Sequence, residues 1–257
     1  MSNNSYVESK TALKALRTLE VVAASQQELA VRDVAERLMC DKTTAYRMLV
    51  TLERAGFINR DGTTKRYSLS YKVVSLSRNL LAENEVTKLI VQTLREISAV
   101  TQETLHYSVL AGKEAVLVHK VKGSQLVDVD FQIGDRAPLH ATAIGKVLLA
   151  YQDVRFIEKV ISSGLPKMAS QTIIESDQLR RELLKIRSQG YAIDDHELSD
   201  SMRCIAVPVF KRGGRVEGGI SISGPDSRLT PEQLNKLREI MLESSRKLSR
   251  HLGGLAW

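Results

Sequence analysis

Four small polar side chains, Asp194, Cys204, Ser221 and Ser223, fall at strand-like positions from which they can face one concavity. Such a lining suits binding a small polar molecule without transforming it. Nucleophilic chemistry is a poor fit. Gly219-Ile220-Ser221-Ile222-Ser223 approaches a nucleophile elbow, but Ser223 stands where the second glycine is needed, and the alternation is that of a strand. Asp194-Asp195-His196-Glu197, with Cys204 and His140, has metal-ligating residue types without a helix-face spacing such as H-x-x-x-H. A polar loop beside a buried cysteine is the simpler account, so neither a metal nor a cofactor is expected. The five histidines, His106, His119, His140, His196 and His251, are scattered and single out no catalytic base.

A second set of residues suits a different partner. Lys42, Thr43, Thr44, Tyr46 and Arg47 offer cations and hydroxyls within one short stretch, and Arg60, Lys65 and Arg66 follow closely. The 257-residue chain has a formal charge of +7, and the segment from Cys40 to Leu80 carries eight cations against three anions. Most of the net charge is therefore local, as an electrostatic footprint for nucleic acid requires.

The elements that must position this set are legible. Ala12, Leu13, Leu16, Leu19, Val22 and Ala23 have the three-and-four spacing of a helix with one buried face, and Val31, Val34, Ala35 and Leu38 predict a short second helix. After the turn Met39-Cys40-Asp41, Asp41 is placed to cap a third helix that turns Ala45, Met48, Leu49 and Leu52 inward. Gly56 is placed to stop it in a left-handed cap, with Phe57 folding back. Phe57–Arg60 and Lys65–Leu69 around Asp61-Gly62-Thr63-Thr64 predict a hairpin. Three helices and a hairpin make a winged helix-turn-helix, whose third helix enters the major groove while the wing lies beside phosphates. From Tyr71 a linker helix is expected, with Val73, Val74, Leu76, Leu80 and Leu81 on its apolar side, followed by a helix bearing Leu89, Ile90, Leu94, Ile97 and Val100.

Beyond it the pattern alternates. Strands are predicted at Thr104–Leu110, Ala115–Lys120, Tyr191–Asp194, Ile205–Phe210 and Val216–Ser223, with helices at Thr142–Tyr151, Arg155–Ser162 and Asp177–Gln189. Pro138-Leu139-His140 reads as a bend. Thr230-Pro231-Glu232-Gln233 opens a closing helix with a reciprocal cap. The fold class is α+β, an antiparallel sheet flanked by helices behind the winged helix. The division expected is 1–70 for DNA binding, 71–85 for the linker helix and 86–257 for effector binding and oligomerisation.

The ordered blocks Lys42-Thr43-Thr44-Ala45-Tyr46-Arg47-Met48-Leu49, Pro138-Leu139-His140-Ala141-Thr142-Ala143-Ile144-Gly145-Lys146, Gly190-Tyr191-Ala192-Ile193-Asp194-Asp195-His196-Glu197, Arg203-Cys204-Ile205-Ala206-Val207-Pro208 and Ser221-Ile222-Ser223-Gly224-Pro225 resemble the IclR family of bacterial transcriptional regulators over essentially the whole chain. The middle blocks are similar to the branch that senses sugar-acid breakdown products, such as the 2-keto-3-deoxygluconate regulators. The resemblance implies a C-terminal effector domain with a GAF-like or profilin-like sheet, a homodimer that pairs into a dimer of dimers, and a palindromic double-stranded DNA operator. It also implies a small carboxylate effector held by the backbone N–H groups of Ala143 and Ile144, with polar contacts from Asp194, Cys204, Ser221 and Ser223 and an apolar wall of Leu126, Val129 and Met202. His196 stands where relatives commonly have a second acidic residue, and Ile144 is larger than its usual counterpart, which narrows the pocket.

A repressor controlled by such a carboxylate is the leading functional expectation. A metal-dependent enzyme with an ancillary DNA-binding module is the alternative, and a sensor of a protein partner, which would need an exposed apolar groove, is a third. No run approaches the roughly 18 consecutive apolar residues of a membrane span, and the start Met1-Ser2-Asn3-Asn4-Ser5 lacks a signal-peptide layout, so a cytoplasmic protein without a membrane partner is expected.

Overall fold

In the computed structural model, which describes residues 9–81 and 84–254, the three N-terminal helices begin where their caps place them. Met1–Ser5, Ala82 and Glu83, and the side chains of Leu80 and Leu81, lie outside the described residues. Helix α1 spans Lys10–Ala23, with the Ser9 hydroxyl accepting from the Ala12 N–H, and α2 spans Val31–Arg37. Helix α3 spans Lys42–Arg54, and the Asp41 carboxylate accepts from the Thr44 N–H at 2.8 Å. Gly56 adopts φ +78°, and the Gly56 and Phe57 N–H groups donate to the Glu53 and Leu52 carbonyls. These two bonds are the Schellman arrangement that ends a helix on a left-handed glycine.

Strands β1 (Ile58–Arg60) and β2 (Tyr67–Leu69) pair antiparallel as the wing, and Leu29 bridges to Tyr67. Val22, Leu29, Val34, Ala45, Leu49, Leu52, Ile58 and Tyr67 close the core. Leu16, expected on the inner face of α1, is instead 57% exposed, because the buried stripe runs through Thr18 and Val22. Helix α4 (Lys72–Leu81) belongs to the first of two compact units, Met1–Ala82 and Glu83–Trp257. The Lys72 ammonium donates to the Ala55 carbonyl at 2.6 Å and lies over the Phe57 ring, while Val74 and Leu76 remain exposed.

The second unit is built on a six-stranded antiparallel sheet in the order β5-β4-β3-β8-β7-β6, with β3 Leu105–Ala111, β4 Glu114–Val121, β5 Arg136–Pro138, β6 Ala192–Asp195, β7 Met202–Lys211 and β8 Arg215–Pro225. Edge strand β5 carries no signal in the sequence, since it is three residues long and ends on Pro138, the first residue of the predicted bend. Helices α5 (Glu85–Thr101) and α9 (Pro231–His251) cover one face, against Leu105, Tyr107, Ile205, Val207, Ile220 and Ile222. Val100 of α5 points outward and is 70% exposed. Helices α6 (Ala143–Ala150), α7 (Val154–Ser162) and α8 (Ser176–Gln189) pack on the other side with Cys204 and Ala206. Because β7 and β8 are covered on both faces, their central residues are buried without alternation. Ile220 and Ile222 face α5 and α9, which leaves Ser221 and Ser223 facing α6. No helix of the described residues is long and apolar enough to cross a membrane.

Candidate functional site

On the first unit, Lys42, Thr43, Tyr46 and Arg47 stand exposed along the outer face of α3. Thr44 is half-buried, and its hydroxyl donates to Asp41 at 2.7 Å, so it serves the cap. The Thr44 hydroxyl and N–H hold the Asp41 carboxyl below its ordinary range. The wing tip is organised by Asp61, which accepts from the Thr63 and Thr64 N–H groups and the Thr64 hydroxyl. Lys65 adopts φ +57° and its ammonium reaches the Gly62 carbonyl, while the Arg60 guanidinium lies over the Tyr67 ring at 5.7 Å. Arg66 departs from expectation. Its guanidinium turns back to the Glu28 carbonyl at 2.9 Å and to Asp33 at 3.6 Å, bracing the wing against the segment before α2.

On the second unit, a cavity of about 90 Å³ lies between the sheet and the start of α6. Its floor is His106 and Ser108 from β3, Ala115 and Leu117 from β4, Ser221 and Ser223 from β8 and Cys204 from β7. The register explains the grouping, since His106 lies opposite Ser221 and Cys204 opposite Ser223. Thr142, Ala143 and Ile144 form the roof, Asp135 to Pro138 the rim, and Phe131 and Leu198 close the sides.

The roof has the chemistry of an anion seat. The Thr142 hydroxyl accepts from the Gly145 N–H at 3.0 Å, and the Thr142 carbonyl takes the Lys146 N–H. The N–H groups of Ala143 and Ile144 stay outside these bonds, at the positive end of the helix. Burial pushes the Cys204 thiol well above its ordinary range, with the Asp194 carboxylate adding to the effect, so the thiol stays protonated. His106, not singled out from the sequence, is 2% exposed, and neither ring nitrogen has a hydrogen-bond partner. Burial, reinforced by the Lys120 charge, depresses its pKa to about 4, so the ring is neutral.

Several expected contacts lie elsewhere. Asp194 is fully buried one strand beyond Cys204, and its carboxylate accepts from the Glu197 and Leu198 N–H groups, holding the turn in which His196 takes φ +62°. It does not line the cavity. Leu126 is fully exposed, and Val129 and Met202 pack into the core beside the cavity. The apolar wall is made by Ala115, Leu117, Phe131, Ile144 and Leu198 instead. The groups considered for a metal diverge: the His140 Nε2 contacts the Pro166 carbonyl at 2.9 Å, while His196 lies between Asp195 and Asp226. Among the described residues no three His, Cys, Asp or Glu side chains converge as ligands.

Beneath α6 lies a buried charge cluster also missed from the sequence. The Lys146 ammonium, 1% exposed, pairs with Glu197, donates to the Ile193 carbonyl at 2.7 Å and approaches Glu182 at 3.7 Å. Burial raises the Glu197 carboxyl from its ordinary 4.5 to about 7, against the pull of Lys146.

Comparison with known proteins matches both units. Residues 11–62 match the IclR helix-turn-helix domain, and residues 78–250 match the bacterial transcriptional regulator IclR C-terminal domain. The chain is 34% identical to the HTH-type transcriptional regulator KdgR of Escherichia coli over 89% of its own length and 87% of that protein's. It is 30% identical to the IclR structure from Thermotoga maritima, with a TM-score of 0.71 over 95% of this chain and 98% of that one. An IclR homolog from Microbacterium hydrocarbonoxydans, solved with 4-hydroxybenzoate, shares the fold at 21% identity and a TM-score of 0.76, over 94% of this chain and 98% of that one. The chain therefore belongs to the IclR family of bacterial transcriptional regulators, with a helix-turn-helix DNA-binding domain and an α+β effector-binding domain.

Proposed function

We propose that the chain is a one-component repressor whose operator affinity is set by a small carboxylate bound under α6. The observation carrying this reading is the pair of N–H groups, on Ala143 and Ile144, at the capped start of α6 above a floor of Ser221, Ser223 and Cys204. A helix N-terminus stabilises negative charge there, and the buried hydroxyls orient the remainder of the ligand. The bound 4-hydroxybenzoate of the Microbacterium homolog is itself a carboxylate.

The partners proposed are a palindromic DNA operator and a second copy of the chain, two such dimers pairing in turn. A two-fold dimer reads half-sites a whole number of helical turns apart. Effector binding changes operator affinity by about 5- to 150-fold, the range of an ordinary allosteric coupling of about 1 to 3 kcal/mol. A gel-shift titration with candidate sugar acids and keto acids tests this, and binding of DNA near its own gene no tighter than background would refute it. A thermal-shift screen supplies the effector, since a ligand at 100 times its Kd stabilises by about 2.7 kcal/mol.

The DNA surface carries its own prediction. Arg47→Ala removes a base-reading cation and is expected to cost about 1 to 3 kcal/mol on operator DNA with little change on random DNA. Lys65→Ala on the wing is expected to weaken both similarly and reduce the salt slope by about one unit. Fluorescence anisotropy at several salt concentrations separates the two, and identical behaviour of the variants would end the division of labour between helix and wing.

A further inference from the structure

The floor of the cavity holds one group whose chemistry limits what can bind. His106 is buried between Lys120 on β4 and Ser221 on β8, its ring edge-on to Phe131 at 5.6 Å. Lys120 is drawn away to the Phe131 carbonyl at 2.8 Å and to Asp130 at 3.4 Å. No protein group pairs with Nδ1 or Nε2, although the side chain faces the cavity. Leaving such buried nitrogens unpaired is costly, so a ligand that satisfies both is favoured over one that satisfies neither.

A neutral imidazole offers one N–H donor and one bare nitrogen that only accepts. The donor can be met by a carboxylate, keto or hydroxyl oxygen. The bare nitrogen can be met only by a group carrying a hydrogen, and an ionised carboxylate or a ketone has none to give. We propose that His106 selects effectors carrying a hydroxyl group in addition to the carboxylate, the hydroxyl donating to its bare ring nitrogen while the carboxylate sits at the start of α6. This rests on the carboxylate reading above and narrows it to hydroxy acids, over simple keto or alkanoic acids.

Isothermal titration of the full chain with glycerate, gluconate, pyruvate and propionate tests the proposal. Glycerate or gluconate is expected to bind at least about tenfold more tightly than pyruvate or propionate. His106→Phe keeps the ring's shape against Phe131 and is expected to erase that preference, and His106→Asn, which retains a donor and an acceptor, is expected to restore part of it. Nitrogen-15 spectra of the wild-type imidazole give a readout independent of any variant: the bare-nitrogen resonance moves upfield on adding the hydroxy acid and stays put with propionate. Carboxylates that bind without hydroxy-acid preference, or with a preference that persists in His106→Phe, overturn the role of His106 and leave the carboxylate reading standing. Proton uptake on binding, detected as buffer-dependent heat, places a carboxylate on an imidazolium and also overturns it. Binding of none of the four acids removes the carboxylate reading and this inference with it.

Discussion

Lys146→Met is expected to destabilise the effector domain by about 3 to 5 kcal/mol at pH 8.5 and by about 2 kcal/mol less at pH 5.5. The ammonium is the only cation among the described groups in contact with Glu197 and Glu182, and two carboxylate oxygens in this cluster, Asp194 Oδ2 and Glu197 Oε2, are buried without a hydrogen-bond partner. Removing the cation leaves negative charge in a medium that solvates it poorly. The sign of the pH effect follows from Glu197. Its carboxyl titrates near 7 in the folded protein and near 4.5 when unfolded, so unfolding releases a proton between those values and the wild type loses stability as pH rises through that window. Above about 7 the wild type levels off. Without Lys146 the carboxyl is pushed higher still, so the variant continues to lose about 1.4 kcal/mol per pH unit where the wild type does not. Urea unfolding followed by circular dichroism at the two pH values measures the gap, and Lys146→Met/Glu197→Leu should close most of it. A gap of equal size at both pH values would mean that Lys146 acts through packing alone.

What was legible in the sequence was whatever depended on neighbours a few residues apart. Asp41, Gly56 and Thr230 each punctuate a helix through bonds to residues within three or four positions, and each could be placed without coordinates. The alternation Ile220-Ser221-Ile222-Ser223 likewise put both serines on one face, where the structure has them lining the cavity. The misses share the opposite property. Lys146 sits in the apolar run of α6, and its partner Glu197 is 51 residues further on. His106 becomes informative only because β3 pairs with β8, which places it opposite Ser221. Its one local signal was that His106 and Ser108 alternate with Leu105 and Tyr107 in a strand covered on both sides. Arg66 looked free on the wing because its acceptor, the Glu28 carbonyl, lies 38 residues earlier. Asp194 shares the strand face of Cys204, which points it toward the cavity in the sequence; the turn that follows keeps it out, because its N–H groups claim the carboxylate.

Gly145→Ala is expected to lower the stability of the effector domain by about 1 to 3 kcal/mol and to abolish the operator response to carboxylates. The direction is opposite to what helix propensity alone dictates, since exchanging glycine for alanine inside a helix ordinarily stabilises it by about 1 kcal/mol. At this position an added Cβ falls 2.6 Å from the Thr142 Oγ1 and 2.7 Å from the Leu139 Cα, and closer still to the Pro138 carbonyl. Two of those three atoms belong to backbone, which cannot swing aside as a side-chain tip can, and the third is the cap of the helix itself. Relief therefore requires the first turn of α6 to move away from the segment that leads out of β5. That movement displaces the Ala143 and Ile144 N–H groups from the roof of the cavity and lengthens the Thr142 bond to Gly145, now 3.0 Å. Thermal unfolding and carboxylate-induced release of operator DNA report the two effects separately. A variant that melts at or above the wild-type temperature and still releases DNA would show that α6 tolerates the shift, and with it that the N–H pair is not the seat of the effector. Loss of response with DNA binding intact would instead tie the close approach at Gly145 to the anion site, because the winged helix has its own core and makes no use of this glycine.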